Sequence, residues 1–418
     1  MTRPPDGFGF DSPFDRSGTG SSKWARAGDG AGGVIAMGLA DMDLPGPPAV
    51  AEALARRAGH RAYGYTACDP AGRELVARWY HERHGATVDP EWVLLLPFGP
   101  RTAVRLLLET LRPAGPVLFP TPEWGGFGQL CRAAGLPYEE LALLRDGDGT
   151  GGGDGTGGGY RLPLEEFARR RAGAVLLSNP HNPSGRVWTA GEIRSLAGAA
   201  AQAGAVLVSD EVHGDLTHPG RRHPVAVAVA DGLRAHTVTL NSVGKTFNGS
   251  GIPSCFALVP DPALRGRLTA LMAGYGLWEG GLVEQVVQQA ALREGAPWLD
   301  ALLCHLVAAR DRLTGVLGPA VRSRPEASYL LWVDAAALGL PAVGARAALL
   351  ARCGLEASDG ADFGPGGEGS LRLNYALPGP VLETVAERLR RLRPGPPSTA
   401  RPAGPTAPAQ PFTRSHHI

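Results

Sequence analysis

Cysteine is scarce and scattered in this chain. Five thiols in 418 residues, Cys68, Cys131, Cys255, Cys304 and Cys353, form no C-x-x-C pair and are odd in number, which argues against a disulfide framework and against a zinc site. An excess of either charge is also missing. With 41 Lys+Arg against 40 Asp+Glu the formal net charge is +1, so no bulk field draws the protein to nucleic acid or to an anionic membrane. No apolar run approaches the ~18 residues a spanning helix needs. The opening Met1-Thr-Arg-Pro-Pro-Asp-Gly-Phe8 has no apolar core of the kind a secretory leader requires. These absences leave a cytoplasmic enzyme of a small molecule as the expectation, with no nucleic acid, membrane or metal partner.

What is present is length and alternation. A chain of 418 residues exceeds one small core, and two domains with appendages are expected. Short apolar runs recur at 93–96, 117–119, 174–177, 205–208, 237–240 and 255–259. Most are separated by helical-period segments such as 101–111 and 190–203, which predicts an α/β domain whose mostly parallel sheet is covered on both faces. From about 264 to 293 the pattern turns helical. Beyond it, candidate strands at 329–333 and 370–374 lie among helices and predict a smaller α+β domain. The expected division is an N-terminal arm over 1–50 belonging in part to the small domain, a large domain over 51–290, a small domain over 291–393 and a tail over 394–418. The nearly all Gly, Asp and Thr stretch 146–159 reads as a mobile surface loop, and the Pro-, Ala- and Ser-rich tail as disordered, because neither can bury apolar area. The His416-His417 pair reads as solvated tail and not as a metal site.

Three segments carry the chemistry. In order they are Ser178-Asn-Pro-His-Asn-Pro-Ser-Gly185, Val208-Ser-Asp-Glu-Val-His213 and Asn241-Ser-Val-Gly-Lys-Thr-Phe-Asn248. Alone, an Asn in a Pro-punctuated turn, an Asp closing a strand and a Lys near Gly are each ordinary. Their order and spacing, each at the end of its own strand, match what pyridoxal 5′-phosphate demands. Lys245 supplies an amine for the aldehyde, Asp210 a carboxylate for the protonated ring nitrogen, and Asn182 a hydrogen bond for the ring's phenolic oxygen. In doubly wound sheets, ligands collect at the carboxyl ends of strands, where Asp210 and Lys245 both fall.

On these motifs the chain resembles the fold-type I pyridoxal-phosphate enzymes of the class I/II aminotransferase superfamily over nearly its whole length. It resembles more narrowly the MalY/PatB-type cystathionine β-lyases. Phe14-Asp-Arg-Ser-Gly-Thr-Gly-Ser-Ser-Lys-Trp24, Ala40-Asp-Met-Asp-Leu-Pro45, Ala62-Tyr-Gly-Tyr-Thr66 and Glu326-Ala-Ser-Tyr-Leu-Leu-Trp-Val-Asp334 carry that narrower likeness. The resemblance implies Trp124 flat against the cofactor ring and His213 among the cofactor-binding residues. It implies that Gly99, Pro100, Arg101 and Thr102 at a helix start face the phosphate, where backbone N–H groups favour anions. Ser242 adds a hydroxyl there, and Tyr65 reaches the phosphate of a neighbouring subunit, making a homodimer. Arg372 corresponds to the arginine whose planar fork grips the substrate α-carboxylate.

The chain also departs from the pattern. It has Gly244 where the subfamily usually has Ser, Gly249-Ser-Gly-Ile252 in place of Ile-Ala-Gly-Leu, and Phe98-Gly-Pro-Arg101 in its phosphate loop, with Arg101 an added charge or a plain helix-start arginine. The leading expectation is a C–S β-lyase acting on a cysteine S-conjugate or cystathionine. An aminotransferase or related enzyme of specialised metabolism stands second, and a cofactor-binding regulator without turnover third. Thiol release favours the first and conversion of the cofactor to its pyridoxamine form the second. Loss of all turnover with retained cofactor and a captured partner favours the third.

Overall fold

The computed structural model of the chain describes residues 7–145 and 159–392. Nearly all of the glycine-rich stretch and all of the tail expected to be disordered lie outside the described residues. Seven strands form the main sheet: β1 (Val93–Leu96), β2 (Val117–Thr121), β3 (Tyr138–Ala142), β4 (Ala174–Ser178), β5 (Leu207–Asp210), β6 (Thr237–Asn241) and β7 (Cys255–Leu258). Their order across the sheet is β1-β7-β6-β5-β4-β2-β3, all parallel except β7, which runs antiparallel to both neighbours. The expected mostly parallel α/β sheet is therefore observed.

Apolar side chains dictate this arrangement. β4, β5 and β6 are buried along their whole length, as strands covered on both faces must be. Helix Pro100–Leu111 starts where Pro100 presets the backbone, and it buries Val104, Leu107 and Leu108 against one face. Helix Ala190–Gln202 opens with a capping box between Thr189 and Glu192 and buries Ile193, Leu196 and Ala197 against the other. Truncating any of these leucines to alanine costs about 2–5 kcal/mol by the usual cavity reckoning.

In the main sheet one expected strand is displaced and one strand is not among those expected. The run at 205–208 becomes Leu207–Asp210, because Gly204 turns left-handed (φ +68) to end the preceding helix and Ala205 is spent leaving it, its N–H donating to the Ala200 carbonyl. Strand β3 was not expected at all. It is an edge strand with one buried residue, Leu141, so it needs little of the apolar signal that marks central strands.

A second sheet is antiparallel, with β8 (Val321–Ser323), β9 (Leu330–Asp334), β10 (Ser358–Asp359) and β11 (Ser370–Asn374) in the order β8-β9-β11-β10. The N-terminal segment joins this side, Ile35–Ala36 pairing in parallel with Leu355–Glu356. Residues 38–44 then run as a strap between the two sheets, and the strap's carbonyls are held from both sides. Asn374 Nδ2 donates to Leu39 O and Asp41 O, and Asn248 Nδ2 to Met42 O and Leu44 O. The strap is pinned from outside by the fully buried Lys23, which donates to Asp43 at 2.9 Å, and by Arg16, which bridges Asp41 and Asp43.

Candidate active site

Register brings the chemistry together. Ser178 on β4 stands level with Asp210 on β5, and Asp210 level with Leu240 on β6, so three neighbouring strands end at one height. The chain beyond β4 supplies Asn182, β5 ends on Asp210, and the single turn Val243–Thr246 beyond β6 supplies Lys245. β11, from the second sheet, contributes Arg372.

These groups line one cavity of about 280 Å³, together with Trp124, His213, Gly99, Pro100, Arg101 and Ser242. Ten of the twelve residues expected from sequence are in it, and Thr102 does not line it. Nor does Tyr65: it is 97% exposed and packs edge-on to Trp278 at 6.1 Å. A larger cleft of 960 Å³ at Arg310 and Arg322 shares none of the ten.

Electrostatics mark the cavity as reactive. Burial pulls the Lys245 amine down to about 8, against the opposing pull of Asp41. The amine donates to the Ala40 carbonyl on the strap, and the Tyr329 hydroxyl donates to the same oxygen at 3.2 Å. Asp210 is pushed up to about 6 by burial, its Oδ1 accepting from the Val212 N–H at 3.3 Å. His213 falls to about 3, through burial first and then the nearby Lys245 and Arg372 charges; its Nδ1 is buried with no hydrogen-bond partner among the described residues. Clustered shifts of this size are characteristic of working sites.

Arg372 is a buried cation with no carboxylate paired to it among the described residues. Nη1 donates to Asn182 Oδ1 at 3.1 Å, Nη2 donates to Gly38 O at 2.7 Å and Ser358 Oγ at 3.1 Å, and Nε has no partner. Its guanidinium lies 4.9 Å from the Phe363 ring centroid, and burial pulls its pKa down to about 10. A desolvated charge held by neutral groups is costly, and an incoming carboxylate relieves that cost.

The residues present fit pyridoxal 5′-phosphate, with refinements at the phosphate end. Pro100 has no N–H, and the Thr102 N–H already donates to the Gly99 carbonyl at 3.0 Å, which leaves the Gly99 and Arg101 amides of the four expected. The Ser242 hydroxyl is engaged as well, donating to Ser254 O at 2.7 Å while accepting from Gly244 N at 3.0 Å. Ser254, unflagged by sequence, lines the cavity with a buried hydroxyl that has no hydrogen-bond partner among the described residues. Arg101 donates to Gln129 at 2.8 Å and lies 6.0 Å from the Trp124 ring centroid. The Trp124 ring rests on Gly126, where an added Cβ would come within 2.3 Å of it. Sequence reasoning also missed the roles of Ala40 and Tyr329, although both lie in segments it singled out; a backbone carbonyl leaves no mark on residue identity.

The family model for aminotransferase class I and II matches residues 33–389. The chain is similar to the cystathionine beta-lyase PatB of Bacillus subtilis, 32% identical with 92% of this chain and 98% of that protein covered. It is similar to the protein MalY of Escherichia coli at 26% identity, covering 90% and 96%. Among solved structures it is similar to cystalysin of Treponema denticola, which contains a pyridoxal 5′-phosphate cofactor, with a TM-score of 0.82, 25% identity and coverage of 92% and 98%. On its sequence, its fold and the residues gathered at its strand ends, the chain belongs to the class I and II aminotransferase family.

Proposed function

We propose that the chain is a pyridoxal 5′-phosphate-dependent C–S β-lyase that converts a cysteine S-conjugate or cystathionine, with water, to a thiol, pyruvate and ammonia. One observation carries the reading: a carboxylate-seeking Arg372 and a low-pKa Lys245 share one cavity in a chain 32% identical, over 92% of its length, to a named cystathionine beta-lyase.

Bound pyridoxal 5′-phosphate supplies an electron-withdrawing ring that accepts negative charge from the substrate Cα. Lys245 would hold its aldehyde and would take the substrate Cα proton; its depressed pKa suits that exchange near neutral pH. Asp210 keeps a proton on the ring nitrogen. Asn182, with Oδ1 engaged by Arg372, has its Nδ2 left for the ring oxygen. Arg372 orients the α-carboxylate, so that the Cα–H bond faces the amine. The Cα–H and Cβ–S bonds would break to leave a Cα–Cβ double bond, the departing thiolate would take a proton, and water would replace nitrogen at Cα to release ammonia and pyruvate.

The assay is thiol and pyruvate release from cystathionine and a set of S-alkylcysteines. Stoichiometric thiol and pyruvate are expected. Turnover that requires a keto acid and yields no thiol would overturn the reading in favour of transamination.

The working unit we propose is a homodimer in the cytoplasm. Tyr65 and Trp278, packed against each other, are 97% and 55% exposed on one chain, an aromatic surface that suits a second copy, with Tyr65 reaching the partner's phosphate. The five cysteines are free thiols, as a reducing compartment allows. Among the described residues no helix is long and apolar enough to cross a membrane. Sedimentation should give twice the 43.5 kDa chain mass, and Tyr65→Phe should weaken cofactor retention; a monomer that keeps its cofactor would rule the dimer out.

A further inference from the structure

The turn that carries Lys245, Val243–Thr246, is four residues long, far too short to be stable by itself. Its fixation comes from behind the cavity. The buried Thr246 hydroxyl donates to Asp215 Oδ2 at 3.0 Å. Asp215 Oδ1 accepts from Trp79 Nε1 and from His84 Nε2, each at 2.8 Å, and both donors stand on helix Pro70–His84. Trp79 also packs edge-on to Phe247, the next residue after Thr246, with centroids 5.7 Å apart.

Asp215 itself lies in the short turn Gly214–Leu216, five residues past Asp210. That connection is rigid too: Glu211 accepts from Ala226 N–H at 2.9 Å and from His223 Nε2 at 2.7 Å, and the His223 ring meets the His84 ring 5.2 Å away. One carboxylate thus joins the lysine turn, the chain leaving Asp210 and a helix. Burial alone would push the Asp215 carboxyl up, but its bonds from His84, Trp79 and Thr246 outweigh this and hold it below its ordinary value.

We infer that Asp215, acting through Thr246, is a positioning residue that sets where the Lys245 amine stands relative to Asp210. The inference rests on Lys245 being the cofactor-bearing amine. Asp215 does not line the cavity. Its worth lies in geometry, since charge-assisted bonds are short and directional, and a displacement of about 1 Å at a reacting group costs on the order of 10²-fold in rate.

The experiment compares holoenzymes of Thr246→Val, Thr246→Ser and Asp215→Asn with the wild type. Thr246→Val should lower kcat about 10- to 10²-fold with KM within about threefold, and should displace the pH midpoint of the visible absorption band of the bound cofactor. Thr246→Ser, which keeps the hydroxyl, should restore both. Asp215→Asn should lose at least as much kcat as Thr246→Val. A merely structural contact would lower the melting temperature and leave kcat per folded molecule and the band midpoint unchanged; that result, or failure of serine to restore them, overturns the inference. Borohydride reduction of the wild type separates the two levels: no pyridoxyl adduct at Lys245 removes the underlying reading, whereas an adduct with an unresponsive Thr246→Val removes only the role of Asp215.

Discussion

Arg372 donates from Nη1 to Asn182 Oδ1 across 3.1 Å, linking β11 of the second sheet to the turn after β4 of the first. The same guanidinium still has an unpartnered Nε, so its fork is only partly spent within the protein. Arg372→Lys keeps the charge and loses the fork. Its kcat/KM should fall about 10- to 10²-fold, chiefly through KM, because a charge-assisted bidentate contact becomes a point contact. Steady-state kinetics on one S-alkylcysteine check this, and a wild-type value would mean the α-carboxylate is held elsewhere.

Lys245 offers a prediction on the cofactor-free protein. An amine attacks a carbonyl only when unprotonated, and burial has pulled this one from 10.5 to about 8. The rate of pyridoxal 5′-phosphate uptake should therefore rise with pH through a midpoint near 8 and level off above it. Stopped-flow absorbance gives the midpoint; one near 10.5 would show that the amine is solvated. Lys245→Arg should take up no borohydride-reducible cofactor.

Asp210 carries a cost that its function requires. Its folded pKa, about 6, lies above the ordinary 3.8, so its contribution to stability is complete below about 4 and is lost as pH rises through about 6. Cofactor-free Asp210→Asn should then be more stable than the wild type at pH 7, by about 1–3 kcal/mol, with the difference vanishing near pH 4. Its activity should fall about 10²- to 10³-fold, because the ring nitrogen loses its counter-charge. Paired melting curves at the two pH values decide the first part.

Two glycines of helix Gly126–Ala134 should respond oppositely. A Cβ at Gly126 would enter the Trp124 ring at 2.3 Å, whereas one at Gly128 meets the movable end of Arg132 at 3.4 Å and the Phe119 ring at 3.7 Å, both ordinary contacts. Gly126→Ala should cost about 1–3 kcal/mol and loosen the cofactor by displacing the indole. Gly128→Ala should be neutral or stabilising by up to about 1 kcal/mol, the usual helical gain over glycine. Equal melting temperatures for the two variants would count against the observed placement of Trp124.

Much of the architecture was readable because central strands and their helices announce themselves by composition. The runs at 93–96, 174–177 and 237–240 became β1, β4 and β6 with at most one residue's difference. The edge strand β3 escaped because one buried leucine makes no pattern. At the site, Lys245, Asp210, Asn182 and Arg372 were legible as residue types at characteristic places, whereas Asp215, Ser254 and the strap carbonyls were not. An aspartate near a strand end looks the same whether it caps a turn or gathers three donors from distant parts of the chain.

Sequence by itself determined the class of fold and the cofactor, since alternating apolar runs admit few packings and few reactions need an amine, a carboxylate and an amide at consecutive strand ends. Tertiary structure alone decided how those groups behave. The low pKa of Lys245, the unpaired charge of Arg372, the engagement of Ser242 with Ser254 and the tether from Asp215 to Thr246 all arise between residues far apart in the chain. Desolvation and hydrogen-bond geometry depend on what surrounds a side chain, and those surroundings exist only once the chain has folded.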